Sequence, residues 1–176
     1  MTGLPPRVGD IVNGSVTWER IEGVDFELLG YFLSCHLVVE HYLDEYLKAA
    51  YPRLCWAKAK HTFSQKVSLL SDFKVSERYD CIPAIKHMNA VRNKLGHRIA
   101  FEITPDELLP LVQYLNKATE GEMGTPSDAR GILQSFTSMT CVLFAAGISS
   151  LSSLDKTDSA MHAAMRRHLP LNMPDE

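Results

Sequence analysis

The chain has 176 residues, which is long enough for one domain to bury most of its apolar surface without disulfides or metals. Its 45% hydrophobic and 22% charged residues are typical of an ordinary globular protein. The formal net charge of -3 excludes a global positive field, so any nucleic acid must bind at a local basic patch.

The cysteines and the chain start indicate the cell compartment. The four cysteines are widely spaced and form neither a CxxC pair nor a zinc-type spacing. We therefore expect reduced, mostly buried thiols in a cytoplasmic protein, with no metal and no cofactor. The first ten residues lack the apolar core of a secretion signal. The most apolar late stretch, residues 141–148, is too short to span a bilayer, so no membrane partner is expected.

Residues 1–24 are predicted to form an irregular N-terminal arm. Turn signals occur at residues 9–10 and again at Asn13 and Gly14. Residues 11–12 lie between these turns and residues 16–18 follow them. The two segments could form a short strand pair, or the arm could simply pack on the body.

Residues 25–150 are predicted to form an all-α domain, a bundle of four to five main helices with short connections. The first helix should run from an Asp25 N-cap to about Ala50, and the second should follow a capping box of Thr62 and Gln65. Steps of three and four predict that most of the first helix faces the core. The apolar and aromatic residues in this pattern are Leu29, Leu33, Leu37, Tyr42, Leu43, Tyr46 and Leu47.

Three further helices complete the predicted bundle. The third should start near Asp80 and carry an apolar stripe that ends in Val91 and Leu95. The fourth has Thr104 as N-cap and a proline in its first turn. The fifth is expected over residues 129–148, with Val142 among its core-facing residues. Residues 151–176 are predicted to be an extra C-terminal short helix, residues 158–168, followed by a frayed tail.

Arg92, Asn93 and His97 form the motif that bears on chemistry. Arg92 carries a permanent cation in a planar fork that suits phosphate, and His97 can exchange protons near neutral pH. Asn93 and His97 are four residues apart and therefore share one face of the third helix. Arg92 lies roughly 140° from His97 around the axis, but its long side chain can reach the same groove. Gly96 leaves room for a nucleotide or another backbone beside His97.

The stretch 92–97, Arg-Asn-Lys-Leu-Gly-His, resembles the signature of the HEPN superfamily, in which four to six residues separate an Arg from a His. The segments 36–43 and 63–70 are similar to the first two helices of bacterial members, especially the mannitol-repressor-like groups. The resemblance covers residues 29–98 and implies a helical bundle that dimerises with its motif helices facing each other. It also implies a metal-independent endoribonuclease, of the kind found as toxins and in phage defence.

In this resemblance Arg92 and His97 take the positions of the catalytic pair and Asn93 that of a polar helper. The implied reaction is attack of a ribose 2′-OH on the adjacent phosphorus, with Arg92 neutralising the growing charge. One His97 of the dimer would act as base and the other as acid, giving a 2′,3′-cyclic phosphate. The expected partners are RNA, a second copy of the chain and a possible antitoxin protein. Candidate contacts to the RNA backbone are Lys66, Lys94 and Arg98.

A structural interpretation stands beside each of these assignments. Arg92 could pair with a glutamate, His97 could cap a helix, and both lysines could be solvated. Glu40 is expected to pair with a Lys or Arg across the bundle rather than to act in catalysis, although a pair with Arg92 could orient it. His36 is expected to be partly buried in its helix. The loop that carries Trp56 should pack on the bundle. The alternative is that Trp56 stacks on the bases of a nucleic-acid strand.

The alternative function is a non-catalytic HEPN module, similar to a transcriptional regulator, that binds protein or nucleic acid. The thin basic patch around residues 92–98 and the slightly acidic net charge favour this second hypothesis.

Overall fold

The computed structural model describes the backbone of residues 6–56, 58, 60–73, 76–98, 101–121 and 124–168. It describes side chains over the same ranges except at 71, 72 and 154–168. The predicted frayed tail, residues 169–176, lies outside the described residues. The described chain is largely helical, with five α-helices and two short strands, so the predicted helical class is confirmed.

The N-terminal segment is a β-hairpin rather than an irregular arm. Strands β1 (Arg7–Val12) and β2 (Ser15–Glu19) pair antiparallel around a two-residue turn. Asn13 and Gly14 both have positive φ, 51° and 77°, which is the backbone that a tight hairpin turn requires. The prediction of an irregular arm is therefore wrong for residues 7–19, and the strand pair is the alternative that forms.

Helix α1 (Phe26–Ala50) begins as predicted, with Asp25 accepting a hydrogen bond from the Leu28 backbone N–H. The prediction that Leu33 and Leu37 face the core is wrong, since Leu37 is 64% exposed. Positions four apart drift by about 40° around a helix, so a repeated step of four moves away from the buried face. The buried face is formed by Phe32, Cys35, His36, Val39, Leu43, Tyr46 and Leu47.

Helices α2 (Phe63–Ser68) and α3 (Ile82–His97) flank two 3₁₀ turns, Leu69–Asp72 and Glu77–Tyr79. The predicted capping box is present, because Thr62 and Gln65 each bond the other's backbone N–H. Ala84, Ile85, Met88 and Val91 form the buried stripe of α3. One face of α3 is thus fixed in the core, and the next residues, from position 92, return to solvent.

Helix α4 (Pro105–Thr119) starts at Thr104, as predicted. Helix α5 runs without a break over Ala129–His168, so the prediction of a separate short C-terminal helix is wrong. Ser149 and Ser150, which lie between the two predicted helices, each donate to a carbonyl four residues earlier within the continuous helix. Val142 is 64% exposed, which corrects its assignment to the core.

The core lies between α1 and α5, which pack along each other, with α2, α3 and α4 closing the sides. Phe32, Phe136 and Phe144 are its largest fully buried side chains. Three free cysteines are buried, Cys35, Cys81 and Cys141, and Cys55 is exposed. This agrees with the prediction that the thiols are mostly buried.

The segment Ala129–Ser153 of α5 is long and apolar enough to cross a membrane, judged by length and composition alone. The apolar stretch is therefore longer than the sequence-based estimate of residues 141–148. Its buried residues, among them Leu133 and Phe144, pack into the bundle, and a core helix of a soluble protein has the same composition.

Two glycines provide a direct test of the α1–α5 packing. A Cβ at Gly147 would lie 2.8 Å from the Tyr46 ring, whereas a Cβ at Gly30 would meet no atom within 4 Å. We expect Gly147→Ala to lower the free energy of unfolding by about 1–2 kcal/mol, because overpacking outweighs the gain in helix propensity. We expect Gly30→Ala to raise it by about 0.5–1 kcal/mol. Urea unfolding of the two variants measures both changes, and a stabilised Gly147→Ala would contradict this packing.

Candidate functional site

A polar cleft of about 480 Å³ opens where α1, the start of α2 and α3 meet, and we call it the α1–α3 cleft. Two successive turns of α1 form one wall, and the polar face of α3 forms the other. Its lining residues are His36, Glu40, His61, Thr62, Phe63, Ser64, Asn89, Arg92 and Asn93.

Arg92 and Asn93 lie at this cleft. Both side chains are exposed, and Arg92 Nη1 donates to Asn93 Oδ1 at 3.4 Å. Among the described residues no carboxylate pairs with Arg92, so the expected glutamate partner is not found there. The guanidinium therefore remains open to an anion from solution.

His97 is the last residue of α3 and is also exposed. It lies one turn beyond Asn93 on the same face of the helix, but it is not among the residues that line the α1–α3 cleft. Gly96 is exposed too, and an added Cβ there would meet no atom within 4 Å. Among the described residues, no atom therefore occupies the space next to Gly96.

Lys66 does not point to a free RNA surface. Its ammonium lies 2.8 Å from Glu40 Oε1 and 2.8 Å from Asp44 Oδ1, and its side chain is only 14% exposed. Burial lowers the Lys66 pKa, but the hydrogen bonds that the ammonium donates to Asp44 and Glu40, together with the charges of these carboxylates, outweigh burial and raise it. Lys66 joins α2 to α1 and is the cross-bundle partner predicted for Glu40, so an RNA phosphate would have to compete with these two ion pairs for the predicted contact.

The other two candidate RNA contacts differ from each other. Lys94 Nζ bonds Glu107 Oε1 at 2.9 Å, which ties the end of α3 to the start of α4 and offsets its charge. Arg98 is the exposed C-cap residue of α3. Arg92 and Arg98 are therefore the cations in this region that no described carboxylate neutralises.

His36 is the residue whose role sequence analysis missed. Its side chain is almost fully buried, 3% exposed, and its ring packs on Phe63 with centroids 4.5 Å apart. Nε2 has no hydrogen-bond partner among the described residues. Burial lowers the His36 pKa, Glu40 and the Asn89 side chain oppose that shift, and the Arg92 charge adds to it. The imidazole is therefore neutral at neutral pH.

Asn89 lies one turn before Asn93 on α3 and donates from Nδ2 to Ser64 Oγ at 3.2 Å. The four-residue spacings of Asn89 with Asn93 and of His36 with Glu40 could have indicated two polar ridges. The spacing does not predict that these two ridges face each other, because that depends on how the helices pack in the tertiary structure.

The loop before α2 packs on the bundle, as expected. Trp56 Nε1 donates to the Tyr51 carbonyl at 3.1 Å, and the half-buried indole meets the His61 ring edge-on at 5.7 Å. His61 thereby reaches the α1–α3 cleft, while Lys58 and Lys60 remain exposed.

The chain matches no protein-family model, and neither the curated proteins nor the solved structures contain a match to it. The resemblance to the HEPN superfamily therefore rests on the residues of the chain itself.

The lowered pKa of His36 makes a prediction about stability and pH. Because the folded-state pKa lies below the unfolded one, the unfolded chain binds a proton first, and stability falls as the pH drops below about 6.5. We expect His36→Gln to lose less thermal stability than the wild type between pH 7 and pH 5. Differential scanning calorimetry across this range measures the difference.

The control is His41→Gln, which replaces an exposed histidine on the same helix. An equal acid-induced loss of stability in the wild type and in His36→Gln would show that His36 is not held neutral by its burial.

Proposed function

We propose that the protein is a HEPN-type, metal-independent endoribonuclease of the toxin or phage-defence kind, acting in the cytoplasm as a homodimer. The observation that carries this proposal is the state of Arg92. It is exposed at the edge of a polar cleft, touches Asn93, and has no carboxylate partner among the described residues. A cation in this setting suits a phosphodiester, because its charge is permanent and its donors form a planar fork.

The chemical steps follow from the residue types on the exposed face of α3. A base, one His97 of the dimer, removes the proton from a ribose 2′-OH as the oxygen attacks the adjacent phosphorus. Arg92 neutralises the charge that develops on the non-bridging oxygens, and Asn93 orients the guanidinium by accepting its hydrogen bond. A second His97 gives a proton to the leaving 5′-oxygen. DNA lacks the 2′-OH and would not be cut.

A dimer is supported by apolar residues beside the cleft. Leu33 and Leu37 are exposed and lie on the same side of α1 as His36 and Glu40. A second copy that covers these leucines would bring two clefts near each other, and the mechanism further requires the two α3 helices to approach so that both His97 residues reach one phosphodiester. An antitoxin protein is a further candidate partner for the same residues.

The pairing of Lys94 with Glu107 and of Lys66 with Glu40 favours the alternative, a non-catalytic module that binds protein or nucleic acid. These ion pairs leave fewer free cations to hold an RNA strand.

A cleavage assay distinguishes the two functions. We expect the purified protein to cut labelled single-stranded RNA in EDTA and to leave the 2′-O-methyl form intact. Arg92→Ala and His97→Ala should each lower the rate by at least about 100-fold, since each removes charge stabilisation or proton transfer. Gel analysis of the labelled fragments measures the rates.

Lys117→Ala, which changes an exposed lysine on α4, is the matched control and should cut at the wild-type rate. Circular dichroism confirms that the variants fold. Cleavage that survives Arg92→Ala and His97→Ala, or no cleavage by a folded wild type, would contradict the ribonuclease proposal.

A further inference from the structure

His36 carries the observation that the proposed mechanism leaves unused. Its Nε2 is buried and has no hydrogen-bond partner in the part of the chain that the structure describes, although buried polar groups are normally paired. The ring nevertheless lines an open polar cleft together with Arg92 and Asn93. A buried, unsatisfied nitrogen on a residue that lines such a cleft can be satisfied by a ligand that completes the hydrogen bonding.

The volume and polarity of the cleft fit one small, polar ligand. About 480 Å³ lies within the range of roughly 300–1,000 Å³ that is usual for small-molecule sites. Its lining offers two uncharged groups, the His36 imidazole and the Asn89 amide, together with the exposed Arg92 cation, while the Glu40 carboxylate is already paired with Lys66. A ligand that matches this arrangement has a neutral, hydrogen-bonding ring at one end and an anionic group at the other.

We propose that the α1–α3 cleft seats one unpaired nucleotide of an RNA strand, with its base hydrogen-bonded by His36 and its phosphate on Arg92. A neutral imidazole has one donor and one acceptor, and an amide has both, as the edge of a nucleobase requires. His36 thereby determines specificity rather than taking part in the chemistry. The inference rests on the proposed function for the identity of the ligand as RNA.

The same geometry defines the substrate as single-stranded. In an A-form duplex the bases are stacked and paired, and proteins reach mainly the phosphates and 2′-hydroxyls. A nitrogen as buried as His36 Nε2 can be reached only by a base that has left the stack. The cleft should therefore discriminate between unpaired and paired RNA without reading a long sequence.

Binding measurements with small probes test the assignment of His36. The probes are nucleoside 5′-monophosphates, inorganic phosphate and a single-stranded 2′-O-methyl RNA hexamer that cannot be cut. His36→Phe keeps the ring that packs on Phe63 but removes both nitrogens. We expect this substitution to lower the affinity for the monophosphates and for the hexamer by about 10-fold, which corresponds to the loss of one buried hydrogen bond. The affinity for inorganic phosphate should not change. Arg92→Ala should weaken the binding of all three probes.

The matched control is His41→Phe, an exposed histidine five residues further along α1, which should bind like the wild type. In the wild type, ¹⁵N-histidine NMR should show the ring signals of His36 moving on addition of monophosphate but not of phosphate. Asn89→Leu provides a second route to the same loss and keeps the test valid if His36→Phe folds poorly. A duplex of the 2′-O-methyl hexamer should bind more weakly than the single strand.

Unchanged nucleotide binding in His36→Phe and Asn89→Leu, or His36 signals that do not respond to monophosphate, would overturn the assignment. Binding of monophosphates without binding of the hexamer would overturn the RNA strand as the ligand. RNA cleavage with unaltered binding in His36→Phe would remove this inference and leave the ribonuclease proposal intact. Nucleotide binding that depends on His36, in a protein that cuts no RNA, would remove the ribonuclease proposal and leave the cleft assignment.

Discussion

The Lys66 ion cluster fixes the charges on which the candidate site depends. The ammonium contacts Glu40 and Asp44 on α1 and is mostly shielded from water, so the cluster joins α2 to α1 and shapes one wall of the α1–α3 cleft. A partly buried pair is screened less than a surface pair. Because Glu40 already pairs with Lys66, it does not form an ion pair with Arg92 across the same cleft. The division of charge leaves Arg92 open to a phosphate.

The amphipathic packing of α3 complements this arrangement. Met88 and Val91 hold one face in the core, and the residues that follow are turned outward at the end of the helix. The core therefore determines the direction in which Arg92 and Asn93 point, and the hydrogen bond between their side chains adds to it. His36 lies at the other wall with a lowered pKa and with no described hydrogen-bond partner for its Nε2, and the Glu40 carboxylate in the same wall is paired with Lys66.

Much of the fold could be predicted from local signals. Three helix N-caps could be predicted, namely Asp25, Thr62 and Thr104, because each side chain accepts a hydrogen bond from a backbone N–H three residues later. The polar face of α3 follows from its spacing. The orientation of α1 could not be predicted, because Leu33 and Leu37 are exposed while Leu43 and Leu47 are buried, and only tertiary packing chooses between the faces that they mark. The length of α5 and the partners of Lys66, 22 and 26 residues away, also depend on contacts that no local pattern contains.

The central claim is that a ribose 2′-OH attacks the phosphorus while Arg92 stabilises the charge. The chemistry of the new RNA ends tests it most directly, by mass spectrometry of the products of a defined oligonucleotide. The account predicts a 2′,3′-cyclic phosphate on one fragment and a 5′-hydroxyl on the other. Fragments that end in a 3′-hydroxyl and a 5′-phosphate would show that water attacks instead, and would contradict the account.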